Sequence, residues 1–292
     1  MSVRKALIDI AKAALIAISP KAFNRMYYRY FVGTSCNIKN PVKFSDKLLW
    51  LKLYWRDESA KICADKLEVR KYIKEKGYGD TLIPLIGAFA AADDMDVSSL
   101  PEKFVLKANH GSAWNIICRD KSEHDWEQEK KKIKNWLATD YYYCFGEWVY
   151  KGMKPMIVCE ELLHQEGSED INDYKILCFS GEPKVIFTYM DRSNNGGESA
   201  FYDMNWNLLP AYSARFSRAS GAVPRPMQLE FMLRMARDLS EGFPHVRIDL
   251  YEVNGAVYFG EMTFFTSAGF CKFSPPEYDV ELGSCLTLPE RS

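Results

Sequence analysis

The sequence has no excess of charge of either sign. Its 38 Lys and Arg residues stand against 39 Asp and Glu residues, which gives a formal net charge of -1. A chain without a positive excess has no general attraction for nucleic acid or for anionic lipid. We therefore expect no nucleic-acid partner, and we expect any charged ligand to be recognised at a local site.

Paired cysteines are also missing, since none of the eight cysteines belongs to a C-x-x-C motif. Several lie in apolar, strand-like runs, as small buried side chains do. Scattered cysteines of this kind argue against a disulfide framework and against a zinc site. They are typical of a reducing compartment, and we predict a cytoplasmic protein.

No apolar run approaches the length of a membrane span. Residues 6–18 follow two basic residues and superficially resemble a signal peptide, but Asp9 and Lys12 interrupt them. This pattern predicts an amphipathic helix that ends near Ser19 and Pro20.

Residues 23–31 mix Arg25 and Arg29 with three tyrosines. Such a segment can contact a membrane surface or a lipid-linked substrate. A helix that packs its aromatic side on the protein body explains the same pattern. We favour the second interpretation and keep a peripheral membrane contact through the N-terminal helix as the alternative.

The remainder of the chain contains no internal repeat and no low-complexity segment. Helical patterns alternate with antiparallel hairpins, which predicts an α+β protein. A length of 292 residues is enough for two or three lobes that share a cleft. We expect three regions, 1–58, 59–155 and 156–292, of which the first is helical and accessory.

Residues 246–263 form the most informative stretch. Alternating apolar and polar residues predict two strands, and Asn254-Gly255 predicts the hairpin turn between them. Arg247 and Asp249 share one strand face, as do Glu261 and Thr263. Mg²⁺ prefers hard oxygen ligands, and an arginine can neutralise a phosphoryl group in transfer. A solvated hairpin with a surface ion pair is the simpler interpretation for this hairpin taken alone.

Lys107 ends an apolar strand directly before the Gly- and Ser-containing loop 109–115. A lysine in this position can reach the phosphates of a nucleotide while backbone N–H groups of the loop cover them. The loop is not a Walker A motif, because no G-x-x-x-x-G-K-[ST] string is present. The alternative is a lysine that extends its ammonium to solvent. His110 is expected to make a structural hydrogen bond and has no catalytic role.

A second apolar strand, residues 157–163, carries Glu160 and Glu161. Its backbone can hydrogen-bond to an adenine while a carboxylate holds the ribose. Asp173 and Lys175 then share a strand face and offer another acid and another cation. Each of these features is weak by itself.

The order of these features resembles the ATP-grasp superfamily and, in detail, the TupA-like ATP-grasp family, whose members are often labelled glycosyltransferases. The resemblance covers roughly residues 40–285. It is carried by Asp65-Lys66 with Val69-Arg70, 104–111, Asp173-Tyr174-Lys175 with 178–181, 201–203 with Trp206, 246–251 and 259–264.

The resemblance implies an ATP-grasp fold, in which two α+β lobes clamp ATP, with an N-terminal helical extension. Region 59–155 would form the N-terminal part of the core with the phosphate-covering hairpin. Region 156–292 would form the C-terminal lobe with the metal site. The implied cofactors are ATP and Mg²⁺.

The resemblance also assigns roles to residues. The catalytic residues would be Arg247, holding the transferred phosphoryl group and the acyl-phosphate, and Lys107. The nucleotide contacts would be Lys66, Lys107, His110, Gly111, Ser112, Glu160, Glu161, Leu163, Asp173 and Lys175, with Glu161 and Asp173 at the adenosine and Lys107 and Lys175 at the phosphates. The metal ligands would be Asp249, Glu261 and Thr263.

Thr263 marks a departure from the family pattern. Many ATP-grasp ligases have Glu-x-Asn on the second metal strand, whereas this chain has Glu261-Met262-Thr263. A hydroxyl is a weaker oxygen ligand than a side-chain carbonyl, which leaves the number of metals open.

The implied activity is an ATP-dependent carboxylate–amine ligase that forms an amide through an acyl-phosphate. The acid would be a uronic acid of a surface or capsular polysaccharide in cell-envelope biosynthesis, and the amine an amino acid or a small amine. Two alternatives stay open: a polysaccharide glycosyltransferase and a non-catalytic ATP-binding subunit. Candidates for holding an anionic acceptor are Arg192, Arg215, Arg218 and Arg225, which surface placement explains equally well.

Overall fold

The computed structural model describes residues 3–167, 171–190, 198–219 and 223–291. The α-helices are α1 (Val3–Ile18), α2 (Pro20–Val32), α3 (Phe44–Tyr54), α4 (Glu58–Ala64), α5 (Val69–Glu75), α6 (Trp126–Leu137), α7 (Tyr142–Phe145), α8 (Leu229–Ser240) and α9 (Tyr278–Ser284). The strands are β1 (Leu85–Phe89), β2 (Phe104–Ala108), β3 (Asn115–Cys118), β4 (Ile157–Glu161), β5 (Asp173–Phe179), β6 (Glu182–Met190), β7 (Glu198–Tyr202), β8 (Tyr212–Ser213), β9 (Ser217–Arg218), β10 (His245–Val253), β11 (Ala256–Thr263) and β12 (Phe273–Ser274).

The first sheet is antiparallel and has the strand order β1-β4-β2-β3. Helix α6 covers it, because Ile133 and Trp126 pack with Phe104 and other apolar side chains of the sheet in a separate small core. The expected boundary at residues 155 and 156 falls before β4. Since β4 pairs with both β1 and β2, the first lobe extends past this boundary to the end of β4.

The second sheet has six strands in the order β11-β10-β5-β6-β7-β9. Its strands pair antiparallel except for the short β7–β9 contact. The apolar stripe of α8, which includes Met232 and Ala236, is buried together with Ile176 and Ile248 of the sheet. One face of the sheet is therefore closed by a helix, and the other face is left for the cleft.

The N-terminal helices and the C-terminal tail are joined at the start of α3. The carboxylate of Asp279 accepts hydrogen bonds from the backbone N and the Oγ of Ser45. Lys47 donates to the carbonyl oxygens of Gly283 and Leu286 at 2.8 and 2.6 Å. These contacts fix the helical region 1–58 against the body of the protein. In the described part of the chain, no helix has the length and apolarity that spanning a membrane requires.

The two expected hairpins are confirmed. Strands β2 and β3 pair from Phe104 with Cys118 to Lys107 with Asn115. Strands β10 and β11 pair on either side of the turn at Asn254 and Gly255. Helix α5 begins only at residue 69, because Asp65 accepts hydrogen bonds from the two backbone N–H groups at positions 67 and 68.

Candidate functional site

A cleft of about 490 Å³ lies between the two sheets. The first lobe contributes Lys66, Lys107 and the loop that follows β2, and the second lobe contributes the uncovered face of β5, β10 and β11. A site of this kind, at the boundary of two lobes and lined by opposing charges, is the usual place for a small-molecule ligand.

A β-bulge sets the charged face of the second sheet. Near the turn, Leu250 pairs with Phe259, but Asp249 pairs with Glu261, so Gly260 is the extra residue of the bulge. In a regular hairpin Asp249 would face Gly260 and the side chain of Glu261 would point to the other side of the sheet. The bulge therefore brings the two carboxylates onto one face.

Arg247 lies at the centre of this face and binds both carboxylates. Its Nε and Nη2 atoms donate to Oδ1 and Oδ2 of Asp249 at 2.6 and 2.7 Å. Nη2 also donates to Oε1 of Glu261 and to Oγ1 of Thr263, each at 3.1 Å. The Thr263 hydroxyl donates to the same Oε1 at 3.0 Å. The predicted catalytic arginine and the predicted metal ligands thus form one network.

Lys175 joins the same network from the neighbouring strand, directly opposite Asp249 in the β5–β10 register. Its ammonium donates to Asp173 and to Asp249, both at 2.6 Å. Asp173 is buried and faces Tyr251 across the strands. These residues are the second-lobe half of the predicted nucleotide site, and the sheet brings them together.

Electrostatics within this cluster follow from its burial and its charges. Burial would raise the pKa of Glu261, but the nearby cations of Lys66, Arg247 and Lys175 lower it to about 2. Burial also raises the pKa of Asp249, against the lowering effect of Arg247 and Lys175. For Arg247, burial lowers the pKa, but the facing carboxylates outweigh this and raise it. The guanidinium is therefore a permanent cation at this site.

The first lobe presents two lysines to the cleft. Lys107 donates to Oε2 of Glu160 at 2.7 Å, and Arg70 binds the other oxygen of this carboxylate at 3.0 Å. Lys66 donates to the carbonyl oxygen of Gly111 at 2.6 Å and lies 3.6 Å from Oε2 of Glu261. Lys66 thus links the two lobes directly at the cleft. Glu160 acts on the cleft through Lys107, whose ammonium it holds.

Hydrogen bonds of Asn109 hold the loop that follows β2. Asn109 donates to Oδ2 of Asp65 at 2.7 Å and to the carbonyl oxygen of Lys154 at 3.0 Å. Gly111 lies so close to other residues that a Cβ there would be 2.9 Å from the rings of Trp114 and Tyr141. Gly111 and the neighbouring Ser112 line the cleft, as the sequence predicts.

His110 does not reach the cleft with its side chain, contrary to its inclusion among the predicted nucleotide contacts. The ring is only 1% exposed. Its Nδ1 is 2.9 Å from Oδ1 of Asn109 and its Nε2 is 3.0 Å from the carbonyl oxygen of Trp136. Burial lowers its pKa. Nδ1 contacts the loop itself and Nε2 ties it to the end of α6, which is the structural role that the position of His110 predicts.

Glu161 and Leu163 lie at and beyond the end of β4. Glu161 is exposed and Leu163 is half-buried. Neither side chain is among those that line the cleft in the described structure. Their contacts with the nucleotide therefore stay a prediction.

Sequence reasoning missed the residues that the C-terminal tail brings to the cleft. After β11 the chain folds back over the open face of the second sheet. The tail contributes Thr266, Ser267, Cys271, Lys272 and Phe273 to the lining. Ser267 has a positive φ of 52°, which is uncommon for a residue with a side chain. No local motif marks these residues, because their position depends on how the tail packs.

The donor set on β10 and β11 fits Mg²⁺. Two carboxylates and a hydroxyl are hard oxygen donors, and Mg²⁺ takes one or two protein carboxylates together with phosphate oxygens. Among the described residues no three His, Cys, Asp or Glu side chains form a closed metal site. Asp249 and Glu261 would hold the ion once Arg247 and Lys175 turn from them to phosphate oxygens.

Of the four arginines predicted to hold an anionic acceptor, Arg215 alone of the described ones lines a cavity next to the cleft. Arg225 pairs with Glu230 at 2.7 Å, and Arg218 is exposed on β9. Arg192 lies outside the described residues.

Three solved structures illustrate what the chain is similar to. They are D-alanine–D-alanine ligase from Bacillus anthracis (16% identity, 70% of this chain, 57% of that chain, TM-score 0.42), phosphoribosylamine–glycine ligase from Thermotoga maritima (14%, 76%, 51%, 0.43) and D-alanine–D-alanine ligase from Helicobacter pylori (11%, 78%, 60%, 0.41). The chain therefore spans between half and three fifths of the length of these proteins.

None of the curated proteins matches the sequence. A sequence model of the TupA-like ATPgrasp family matches residues 46–287, which is most of the chain and includes every residue of the charged network. The ATP-grasp fold expected from the sequence is thereby confirmed, and the chain belongs to the TupA-like ATP-grasp family.

Proposed function

We propose that the protein is an ATP-dependent carboxylate–amine ligase that forms an amide through an acyl-phosphate and releases ADP and phosphate. The observation that supports this most directly is the network of Arg247, Lys175, Asp249 and Glu261, which faces Lys107 across one cleft. Phosphoryl transfer needs little protein nucleophilicity and depends on positioning and charge neutralisation. This network offers both.

The nucleotide would bind with its phosphates between the lobes. Lys107 and Lys175 would leave Glu160 and Asp249, their present acid partners, to contact phosphate oxygens. The backbone of the loop at Gly111 would cover the phosphates from the first lobe. Because each lysine is paired with an acid, both cations are held in place at the cleft.

Arg247 would hold the γ-phosphoryl group as it moves to a carboxylate oxygen of the acid substrate. The new bond joins this oxygen to phosphorus, and the bond from phosphorus to the oxygen of ADP breaks. Mg²⁺, held by Asp249 and Glu261, would screen the phosphate charge. A guanidinium with several N–H donors can follow the phosphoryl group from ATP to the acyl-phosphate without losing its contacts.

The proposal also names the two substrates of the ligase. The acid would be a uronic acid of a surface polysaccharide, and the amine an amino acid or a small amine. The reaction would take place in the cytoplasm and serve capsule or cell-envelope biosynthesis. Support for this level comes from the family resemblance alone.

The experiment is an assay of ATP consumption against a panel of uronic acids and amines, with mass spectrometry of the product. A ligase releases ADP when acid and amine are both present, and slowly with the acid alone. A glycosyltransferase instead consumes a nucleotide sugar without ATP. An ATP-binding subunit binds ATP and turns nothing over. Either of these last two outcomes refutes the ligase proposal.

The N-terminal helices support a further part of the proposal, a peripheral contact with an anionic membrane surface or a lipid-linked substrate. On α1, Leu7, Ile8 and Ile10 are more than half exposed, and Lys21 and Arg29 follow on α2. Apolar and basic side chains together favour an anionic interface. Sedimentation with phosphatidylglycerol vesicles should show binding that Ile10→Asp weakens, and equal binding by the variant refutes this part.

A further inference from the structure

A second cavity of about 230 Å³ adjoins the charged network. It shares Ser112, Arg247, Glu261 and Ser267 with the main cleft, so the two spaces meet where the phosphoryl group would be transferred. Nothing in the proposed binding of ATP fills this cavity. It is therefore placed to hold a second substrate against the site of acyl transfer.

The wall of this cavity is mainly aromatic, with Phe31, Tyr141, Phe145, Tyr150, Phe265 and Phe270. The faces of aromatic rings attract ammonium groups. The wall already shows this preference, since the guanidinium of Arg215 lies 5.4 Å from the centre of the Phe31 ring. The aromatic part of the wall thus suits a small cation.

Glu147 is the acid of this cavity and is 6% exposed. Among the described residues, no hydrogen bond or salt bridge engages its carboxylate. A buried carboxylate without a hydrogen bond is costly, even with the charge of Lys52 nearby. Glu147 therefore lacks a hydrogen bond that a ligand in the cavity can supply.

The other charges at and next to the wall have hydrogen-bond partners of their own. Lys52, which is buried beside the wall, donates to the carbonyl oxygens of Phe145 and Ala268 at 3.1 and 2.6 Å. Arg215 donates to the carbonyl oxygen of Phe270 at 2.9 Å. Arg247 pairs with the carboxylates described above. Among these charged groups of the described chain, the carboxylate of Glu147 is the one without a hydrogen bond and is thus available to a ligand.

We propose that this cavity is the amine-donor subsite of the ligase, in which Glu147 binds the donor as a primary ammonium and accepts one of its protons. This inference rests on the proposed function, because it assigns the second substrate of the same reaction. Its ligand class is a small primary amine, with or without a carboxylate of its own.

The proton transfer completes the reaction with all atoms accounted for. One ammonium proton moves to Glu147, and the freed lone pair forms the C–N bond with the acyl carbon. The bond from this carbon to the phosphate oxygen breaks, and phosphate leaves with the electron pair. Phosphate takes the second proton from nitrogen, which gives the amide and hydrogen phosphate.

Burial supports this role, because it raises the pKa of Glu147 to about 7, while Lys52 opposes the rise and Glu261 adds to it. A carboxyl group with a pKa near the working pH is an efficient general base.

Binding of small probes tests the subsite directly. Ethanolamine and glycine are titrated by saturation-transfer NMR into protein loaded with Mg²⁺ and a non-hydrolysable ATP analogue, with ethylene glycol as the uncharged comparison. We expect both amines to bind and ethylene glycol not to bind. Glu147→Gln should weaken both amines about tenfold or more, since it removes a charged hydrogen bond. Glu182→Gln, an exposed acid on β6, is the matched control.

Several outcomes overturn the subsite: no amine binding to the wild type, equal binding by Glu147→Gln, or equal weakening by Glu182→Gln. The Arg215→Ala variant then distinguishes two kinds of donor. If it binds glycine more weakly than the wild type but ethanolamine equally well, the donor is an amino acid. If it binds both probes as well as the wild type does, the donor is a simple amine. If Glu147→Gln does not fold, Glu147→Asp keeps the charge but retracts it, and it must still weaken both amines. Affinity for the ATP analogue reports on the proposed function separately.

Turnover measurements distinguish a role of Glu147 in proton transfer from a purely structural role. With an acid from the panel, hydroxylamine traps the acyl-phosphate and is uncharged near neutral pH, so it needs no base. Glu147→Gln should trap as fast as the wild type but lose about tenfold or more in kcat/KM for ammonium donors. Equal loss with both nucleophiles would assign Glu147 to the fold and overturn the proposal.

Discussion

Arg247 and Asp249 lie two residues apart on β10 and form a two-point ion pair, Nε to Oδ1 at 2.6 Å and Nη2 to Oδ2 at 2.7 Å. Both residues are required by the proposed reaction, one for the phosphoryl group and the other for the metal. In this pair each side chain therefore neutralises the charge of the other until phosphates and metal bind. In the proposed reaction, binding of the nucleotide and the metal would exchange this contact for two new ones.

Glu261→Gln should abolish Mg²⁺-dependent ATP turnover while the protein stays folded. The amide keeps the shape and the contact with Thr263 but removes the negative charge that would bind the metal. We expect turnover to fall about a hundredfold or more, which is the usual effect of removing a group that stabilises charge in the transition state. ADP release and circular dichroism measure the two properties. Near-normal turnover would remove Glu261 from the metal site.

Lys107→Ala should weaken ATP binding about ten- to hundredfold, because a charged contact with phosphate is lost. Calorimetric titration with a non-hydrolysable analogue measures the affinity. Lys103→Ala is the matched control, since Lys103 directly precedes the same strand and its side chain is exposed. Unchanged affinity of the Lys107 variant, or equal weakening in both, would remove Lys107 from the nucleotide site.

The sequence predicted the strands of this site because their signals are local. Alternation of apolar and polar residues indicated β10 and β11, and Asn254-Gly255 indicated the turn between them. The facing of Asp249 and Glu261 depends on the bulge at Gly260. A glycine within a strand pattern often marks a bulge, but the alternation of residues predicted none at Gly260, so the structure alone shows this part of the register.

The contacts between the lobes could not be predicted from the sequence in the same way. The approach of Lys66 to Glu261 joins residues that are far apart in sequence and depends on how the two lobes dock. Glu147 stands beside apolar and aromatic residues with no motif around it, and the cavity that it lines includes side chains of α2 and the tail, which are far from it in sequence. Nonlocal packing of this kind leaves no periodic signal in one sequence.

Acid should destabilise the wild type more than Glu261→Gln. The pKa of Glu261 is about 2 in the folded protein, against an ordinary value of 4.5. A lowered folded pKa contributes stability above the unfolded value, and this contribution is lost as the pH falls from 4.5 towards 2. With the side chain 29% exposed, we expect a loss of roughly 1–3 kcal/mol over this window.

Urea denaturation at a series of pH values measures this difference. The slope of the unfolding free energy against pH should be smaller in Glu261→Gln than in the wild type within the window, and the two should be parallel above it. Equal slopes throughout would mean that the neighbouring cations do not lower the pKa of Glu261.

Gly260→Val tests whether the bulge is needed for activity. A Cβ at this position would lie 3.0 Å from the carbonyl oxygen of Asp249 and 3.0 Å from the ring of Tyr251, so a larger side chain forces the strands to shift. We expect a loss of about 1–3 kcal/mol in the free energy of unfolding, as for other overpacked sites. We also expect ATP turnover to fall much further than the folded fraction, because the shift turns Glu261 away from Asp249.

Ala256→Val is the control for this variant, since it places the same side chain at the exposed start of the same strand. Valine favours strands, so this change should leave stability and turnover almost unaltered. Turnover is measured at a temperature where denaturation curves show both variants to be folded, which separates geometry from stability. If Gly260→Val is folded and fully active there, the two carboxylates do not need the bulge to act together, and the metal assignment on β11 is wrong.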